Sequence, residues 1–94
     1  MKVHLDFLRL PSITIIVGTA QKLEFEGSTI EDLIAHLIKR YGAEVENILV
    51  DEENKLNYYI LVMVNDELIR GDNREQIQLT EGDSIIFAVL AEDG

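Results

Sequence analysis

An α+β roll, a mixed sheet of four to five strands gripping one main helix, is the fold class this sequence predicts. Three observations carry the expectation. Alternating apolar residues mark two strands in the first quarter of the chain and two or three more in its second half. One strongly amphipathic helix lies between them, and its single apolar stripe needs a sheet face to lie on. The first and last strands flank that crossover, so they are expected to pair in parallel at the centre of the sheet. The 94 residues suffice for one domain, 1–94, with one core.

Lys2–Leu10 alternates, with Val3, Leu5 and Phe7 on one side and Lys2, His4 and Asp6 on the other, as a half-buried strand does. Pro11 removes a ladder donor and ends it. Ile13–Val17 has strong β-propensity broken by Gly18-Thr19, and reads either as a strand or as an apolar loop packed on the sheet edge. Gln21–Glu26 alternates again, with Leu23 and Phe25 on the apolar side, and Gly27 marks a turn.

Ser28 and Glu31 have the spacing of a capping box. Ile30, Leu33, Ile34, Leu37, Ile38 and Tyr41 then form one helical stripe, closed by Lys39 and Arg40 in the last turn and by Gly42. Ala43–Val50 adds one or two helical turns, and Asp51–Asn54 a polar turn. Tyr58–Val64 reads as a central strand, with Asn65-Asp66 as tight-hairpin chemistry into Glu67–Arg70. Gln76–Leu79 reads as a short strand, Glu81-Gly82-Asp83 as a turn, and Ser84–Leu90 as the last strand.

Composition excludes several kinds of chemistry. With no cysteine, disulfides, thiolate metal sites, iron–sulfur ligation and cysteine nucleophiles are all ruled out. Eighteen acidic residues against eight basic ones give a formal charge of −10, which repels phosphate backbones and anionic headgroups. Neither nucleic acid nor membrane is therefore an expected partner, whereas a protein with a basic surface is. Met1–Asp6 carries charges where a secretory leader has its apolar stretch, so the cytoplasm is the expected location.

Individual side chains offer little catalysis. His4 and His36 fall on different elements and read as solvated surface histidines rather than a metal pair. Asp51-Glu52-Glu53 lacks calcium-loop spacing and reads as an exposed acidic turn. Tyr41, Tyr58 and Tyr59 read as core or sheet residues, because no basic stripe accompanies them as in a base-stacking platform. No metal or cofactor site is expected.

Two surfaces remain as candidates. The sheet face away from the helix is the candidate docking face: with Ile85 and Phe87 turned inward, Ile86 and Ala88 turn outward beside Leu8. Their neighbours are either Tyr59 and Leu61 or Ile60 and Val62, and the parity is open. The second surface is the tail. A core strand runs into Ala91-Glu92-Asp93-Gly94, and a glycine-ended tail, lacking a final Cβ, can thread a narrow partner channel. A frayed polar terminus is the plain alternative.

Gly18-Thr19, Leu23–Thr29, Lys39-Arg40-Tyr41-Gly42, Met63-Val64-Asn65-Asp66 and Leu79–Ile85 occur in an order that resembles the MoaD/ThiS family. These are the small subunit of molybdopterin synthase and the thiamine-pathway sulfur carrier. The resemblance covers nearly the whole chain and implies a ubiquitin-like β-grasp fold. It further implies that a ubiquitin-activating-type enzyme adenylates the Gly94 carboxylate with its own ATP and Mg²⁺, and that a thiocarboxylate follows. This would serve molybdenum- or tungsten-cofactor assembly, with a molybdopterin synthase large subunit as second partner. On this reading the chain is a carrier, not an enzyme. It departs from the family's Gly-Gly ending and preceding proline segment, having Val89-Leu90 and then Asp93 before Gly94. An unactivated β-grasp interaction module is the alternative, and a lysine-joined modifier a third reading.

Overall fold

The computed structural model describes residues 1–89, so Leu90 and the tail 91–94 lie outside the described residues. Five strands form one mixed sheet: β1 (Lys2–Leu8), β2 (Gln21–Glu24), β3 (Ile60–Val64), β4 (Glu67–Ile69) and β5 (Ser84–Val89), in the order β2-β1-β5-β3-β4. β1 and β5 pair in parallel at the centre, from His4 opposite Ser84 to Leu8 opposite Ala88. The other pairings are antiparallel. Three α-helices complete the fold: α1 (Pro11–Val17), α2 (Ile30–Tyr41) and α3 (Ala43–Leu49).

Side-chain alternation sorts the sheet into two faces. Val3, Leu5, Phe7, Ile60, Val62, Ile85 and Phe87 turn inward and are buried. Against them lie Ile30, Leu33, Ile34 and Leu37 of α2 and Val45 and Leu49 of α3. Phe7 and Phe87 stack with ring centroids 5.9 Å apart, joining the two central strands through their side chains as well as their ladder.

Ile13–Val17 is helical, against both sequence readings of that segment. Arg9 turns the chain at φ 60, and Pro11 occupies the start of the helix, where its fixed φ fits and its missing N–H costs nothing. The N–H groups of Ile13 and Thr14 both donate to Leu10 O at 3.0 Å. Helical spacing lets Ile13 and Val17 enter the core together and leaves Ile15 outside. Core burial thus outweighs β-propensity.

Three further corrections concern ends and loops. The capping box is Thr29 with Asp32, one residue beyond the Ser28–Glu31 pair. Asp32 N donates to the Thr29 hydroxyl at 3.1 Å, while the Asp32 carboxylate accepts from Ser28 N at 2.8 Å and Thr29 N at 3.2 Å. Ser28 O is taken by Leu79 N at 2.6 Å, which ties Ser28 to the segment around Leu79 and delays the helix start. Within Gln76–Leu79 there is only the end of a 3₁₀ turn (Arg74–Gln76) and an isolated Thr29–Gln78 bridge. β3 begins at Ile60, leaving Tyr58 and Tyr59 in the turn before it.

The hairpin is as expected. Asn65 (φ 52) and Asp66 (φ 69) both take the left-handed conformation of a two-residue turn that matches strand twist. Glycine is required at Gly27, where φ is 130 and a Cβ would collide with the Asp32 side chain.

Thr29→Ala removes the cap acceptor and is expected to cost about 1 kcal/mol of unfolding free energy in urea titrations. The Asp32 carboxyl is held below its ordinary range by the Ser28 backbone N–H first and then by the Thr29 side chain. Slight burial opposes this, and the Thr29 N–H adds to it. A depressed folded-state value means stabilisation that is complete above the unfolded value of about 3.9 and is lost as pH falls through the folded one. The stability gap between the wild type and Asp32→Asn should therefore close as pH falls below about 4, as read by thermal unfolding across pH.

Candidate functional site

The outer sheet face is assembled by register. Ile86 stands between Asp6 and Met63, and Ala88 between Leu8 and Leu61; Leu68 extends the Met63 row onto β4. The burial of Ile60 and Val62 settles the open parity, with Leu61 and Met63 facing out. Leu8 is 44% exposed and Ile86 half-buried, so both can meet a partner. Ala88 is only 7% exposed: it forms the floor between its neighbours rather than a contact. Ile13 and Val17 join the inner core, so they do not cover this outer row.

The remaining expected site, Gly94 with its tail Ala91, Glu92 and Asp93, lies outside the described residues. Its root is placed, however. Val89 pairs with Ile60, and β5 is paired with both β1 and β3 from Ile85 to Ala88. The last described residue, Val89, thus closes a central strand of the sheet.

At the other end of β5 the family-like motifs join into one brace. Asn65 Nδ2 donates to Asp83 Oδ1 at 2.9 Å, and Asn65 Oδ1 accepts from Ser84 N at 2.9 Å. Asp83 Oδ2 accepts from Thr80 N at 2.8 Å, and Asp83 O accepts from His4 N at 2.8 Å. Hairpin, turn and first strand are thereby clamped around the start of β5. The chemistry of these residues is structural.

The histidines do not meet. His4 is exposed on β1, as expected. His36 departs from the solvated reading: it is half-buried, its ring lies 6.4 Å from that of Phe25, and its Nε2 is enclosed without a hydrogen-bond partner. Packing against Phe25 accounts for its position. Among the described residues, no group of three or more His, Asp or Glu side chains is placed to hold a metal ion. No described helix is long and apolar enough to cross a membrane.

The tyrosine reading needs correction. Tyr58 is 90% exposed and Tyr59 46% exposed, so neither is a core residue. They occupy a turn in which Ile60 N donates to Asn57 O at 3.0 Å. Arg74 fastens that turn, with Nη1 donating to Ile60 O and Nη2 to Asn57 O at 3.1 Å. Asn57 Nδ2 adds a bond to Ile48 O at 2.7 Å. These supporting residues were not visible in the sequence, where nothing in the spacing of Asn57 and Arg74 signals that they converge. The adjacency of two tyrosines was a usable signal, because neighbours in a strand point to opposite faces.

A mixed five-stranded sheet holding a central helix, with its first and last strands parallel at the middle, defines a ubiquitin-like β-grasp protein. Residues 13–88 match the ThiS family, and the chain belongs to that family of ubiquitin-like sulfur carriers. Solved structures agree. A chain of the BexX/CysO complex of Amycolatopsis orientalis is 28% identical with a TM-score of 0.74, over 98% of this chain and 99% of that one. Urm1 of Trypanosoma brucei is 23% identical with a TM-score of 0.75, over 99% and 95%. SAMP1 of Haloferax volcanii is 14% identical with a TM-score of 0.75, over the whole of both chains. No curated protein matches the chain.

The two sheet faces make opposite predictions for stability. Phe87→Ala opens the inner core and is expected to cost about 3–5 kcal/mol in urea unfolding. Leu8→Ser on the outer face is expected to change stability by no more than about 0.5 kcal/mol.

Proposed function

We propose that this protein carries sulfur as a C-terminal thiocarboxylate formed on Gly94. A carboxylate is a poor electrophile. An adenylating partner activates it when the carboxylate oxygen attacks the α-phosphorus of ATP and pyrophosphate leaves. A sulfide-level donor then attacks the acyl carbon, AMP leaves, and the thiocarboxylate remains as a soft sulfur nucleophile. ATP and Mg²⁺ belong to the partner, and the carrier supplies a firm body, a reachable end and a face to grip. Assembly of the molybdenum or tungsten cofactor is the proposed destination, with a molybdopterin synthase large subunit as receiver.

The supporting observation is the placement of β5. The strand that leads directly into residues 90–94 is the central one, paired to β1 and β3 and backed by Phe87 in the core. A partner that grips the outer face around Leu8, Leu61, Met63 and Ile86 thereby also fixes where the tail starts. Family membership makes the carrier role the natural use of this geometry.

One feature favours a second reading. Asp93 places a Cβ and a negative charge immediately before the reacting glycine, where ATP phosphates would approach. An interaction module with an unactivated tail fits that charge better, unless the partner supplies a cation.

Intact-mass measurement after incubation with the adenylating enzyme of the same organism, MgATP and sulfide separates the two. The carrier reading expects a mass gain equal to the exchange of one oxygen for sulfur, abolished by deletion of Gly94. An unchanged wild-type mass together with a gain in Asp93→Gly would instead establish that Asp93 blocks activation.

A further inference from the structure

The tail chemistry leaves unused a cleft of about 530 Å³ between the end of α3, the turn that follows it and Tyr59. Glu46, Asp51 and Glu52 line it together with Asn54, Asn57 and Tyr59, and no basic side chain shares the lining. Its acids are not spaced to converge on a metal ion. Asp51 Oδ1 is already committed to the N–H groups of Glu53 at 2.8 Å and Lys55 at 3.0 Å, which hold the turn in shape. Glu46 and Glu52 complete its acidic lining.

One wall carries the Tyr59 ring. The Tyr59 hydroxyl lies 3.4 Å from both Ile48 O and Asn57 Nδ2, and the Tyr58 ring meets the Tyr59 ring edge-on at 5.7 Å. The Arg74 bonds to Ile60 O and Asn57 O hold the turn that carries this ring. A flat cation between such a ring and carboxylates describes a guanidinium, which stacks on an aromatic face while its N–H groups reach acids. Ammonium would meet the same acids without the planar match. The formal charge of −10 favours a basic partner for the whole molecule.

Location supplies the remaining argument. Tyr59 immediately precedes Ile60, and Ile60 is the partner of Val89, the last described residue. The cleft thus stands at the end of the sheet where β5 leads into the tail.

We propose that this cleft is a docking socket for an arginine side chain of the adenylating partner protein, seated beside the root of the reactive tail. The partner's identity rests on the function proposed above; the socket's chemistry stands on the cleft alone. Anchoring a rim arginine there sets the carrier's rotation on the outer-face contact and so aims its end.

The test is a ¹H–¹⁵N NMR titration of the full chain with an acetylated, amidated glycine hexapeptide carrying two central arginines, beside lysine and citrulline counterparts. Shifts from the arginine peptide should concentrate between residues 46 and 59 and exceed those from either counterpart. Tyr59→Leu should weaken binding about two- to fivefold, the share of an exposed cation–π contact. Tyr59→Phe, which keeps the ring, should retain it, and Glu46→Gln combined with Glu52→Gln should weaken it further. Equal binding of citrulline or lysine, shifts scattered over all acidic residues, or an unaltered Tyr59→Leu would overturn the socket. In the thiocarboxylation assay, Tyr59→Leu should raise KM for the carrier with kcat unchanged; an unchanged KM would overturn the link to the partner. A wild type that binds the arginine peptide but is never thiocarboxylated would sink the tail chemistry and not the socket.

Discussion

The parallel pairing of β1 with β5 is the constraint from which the rest of this structure follows. Parallel neighbours cannot be joined by a tight turn, so the chain between them must leave the sheet and return. Here it leaves to build β2, cross through α2 and α3, and add β3 and β4 at the far edge before closing on β1. The stacked Phe7 and Phe87 rings sit on that seam, in one core with Ile30, Leu33, Ile34 and Leu37 of the helix stripe. A strand that enters the sheet last and lies at its middle cannot fray without opening the core.

The same seam divides labour between the two ends of β5. At its start, Asn65, Thr80 and Asp83 consume their polar groups on one another and on the backbone of β1 and β5. Those residues carried much of the family resemblance, and their work is to hold the strand. Toward its finish, the neighbouring tyrosines are exposed rather than buried. Tyr59 precedes Ile60, the partner of Val89, and shares a cleft lining with Glu46 and Glu52, while the outer face offers Leu8, Leu61 and Ile86. A carrier needs this asymmetry, because the body must be rigid where the chain is anchored and available to partners where it is handed over.

Several elements were legible from the chain alone because they follow from local rules. Helical periodicity located the body of α2, though not its cap, and the left-handed preference of Asn65-Asp66 located the hairpin. Where competing local signals existed, tertiary context decided. Ile13–Val17 has the composition of a strand, yet it coils because Pro11 and a reversal at Arg9 let two of its side chains reach the core at helical spacing. The capping box moved from Ser28 to Thr29 because a long-range bond from Leu79 had already claimed the Ser28 carbonyl. His36 lost its expected solvation to Phe25, a residue eleven positions away in the chain.

By itself the sequence determined the fold class, the principal helix, the central pair of strands and the absence of any cysteine-based chemistry, since each depends on residue type and short-range spacing. Only the tertiary structure decided which of Leu61 and Val62 faces outward, that Ala88 is a floor rather than a contact, and that two tyrosines stand exposed beside an acidic cleft. Those facts depend on strand register and on bonds such as Arg74 to Ile60, which join residues far apart in the chain. Such contacts leave no periodic trace in the order of the amino acids, because their partners are chosen by the way the sheet closes.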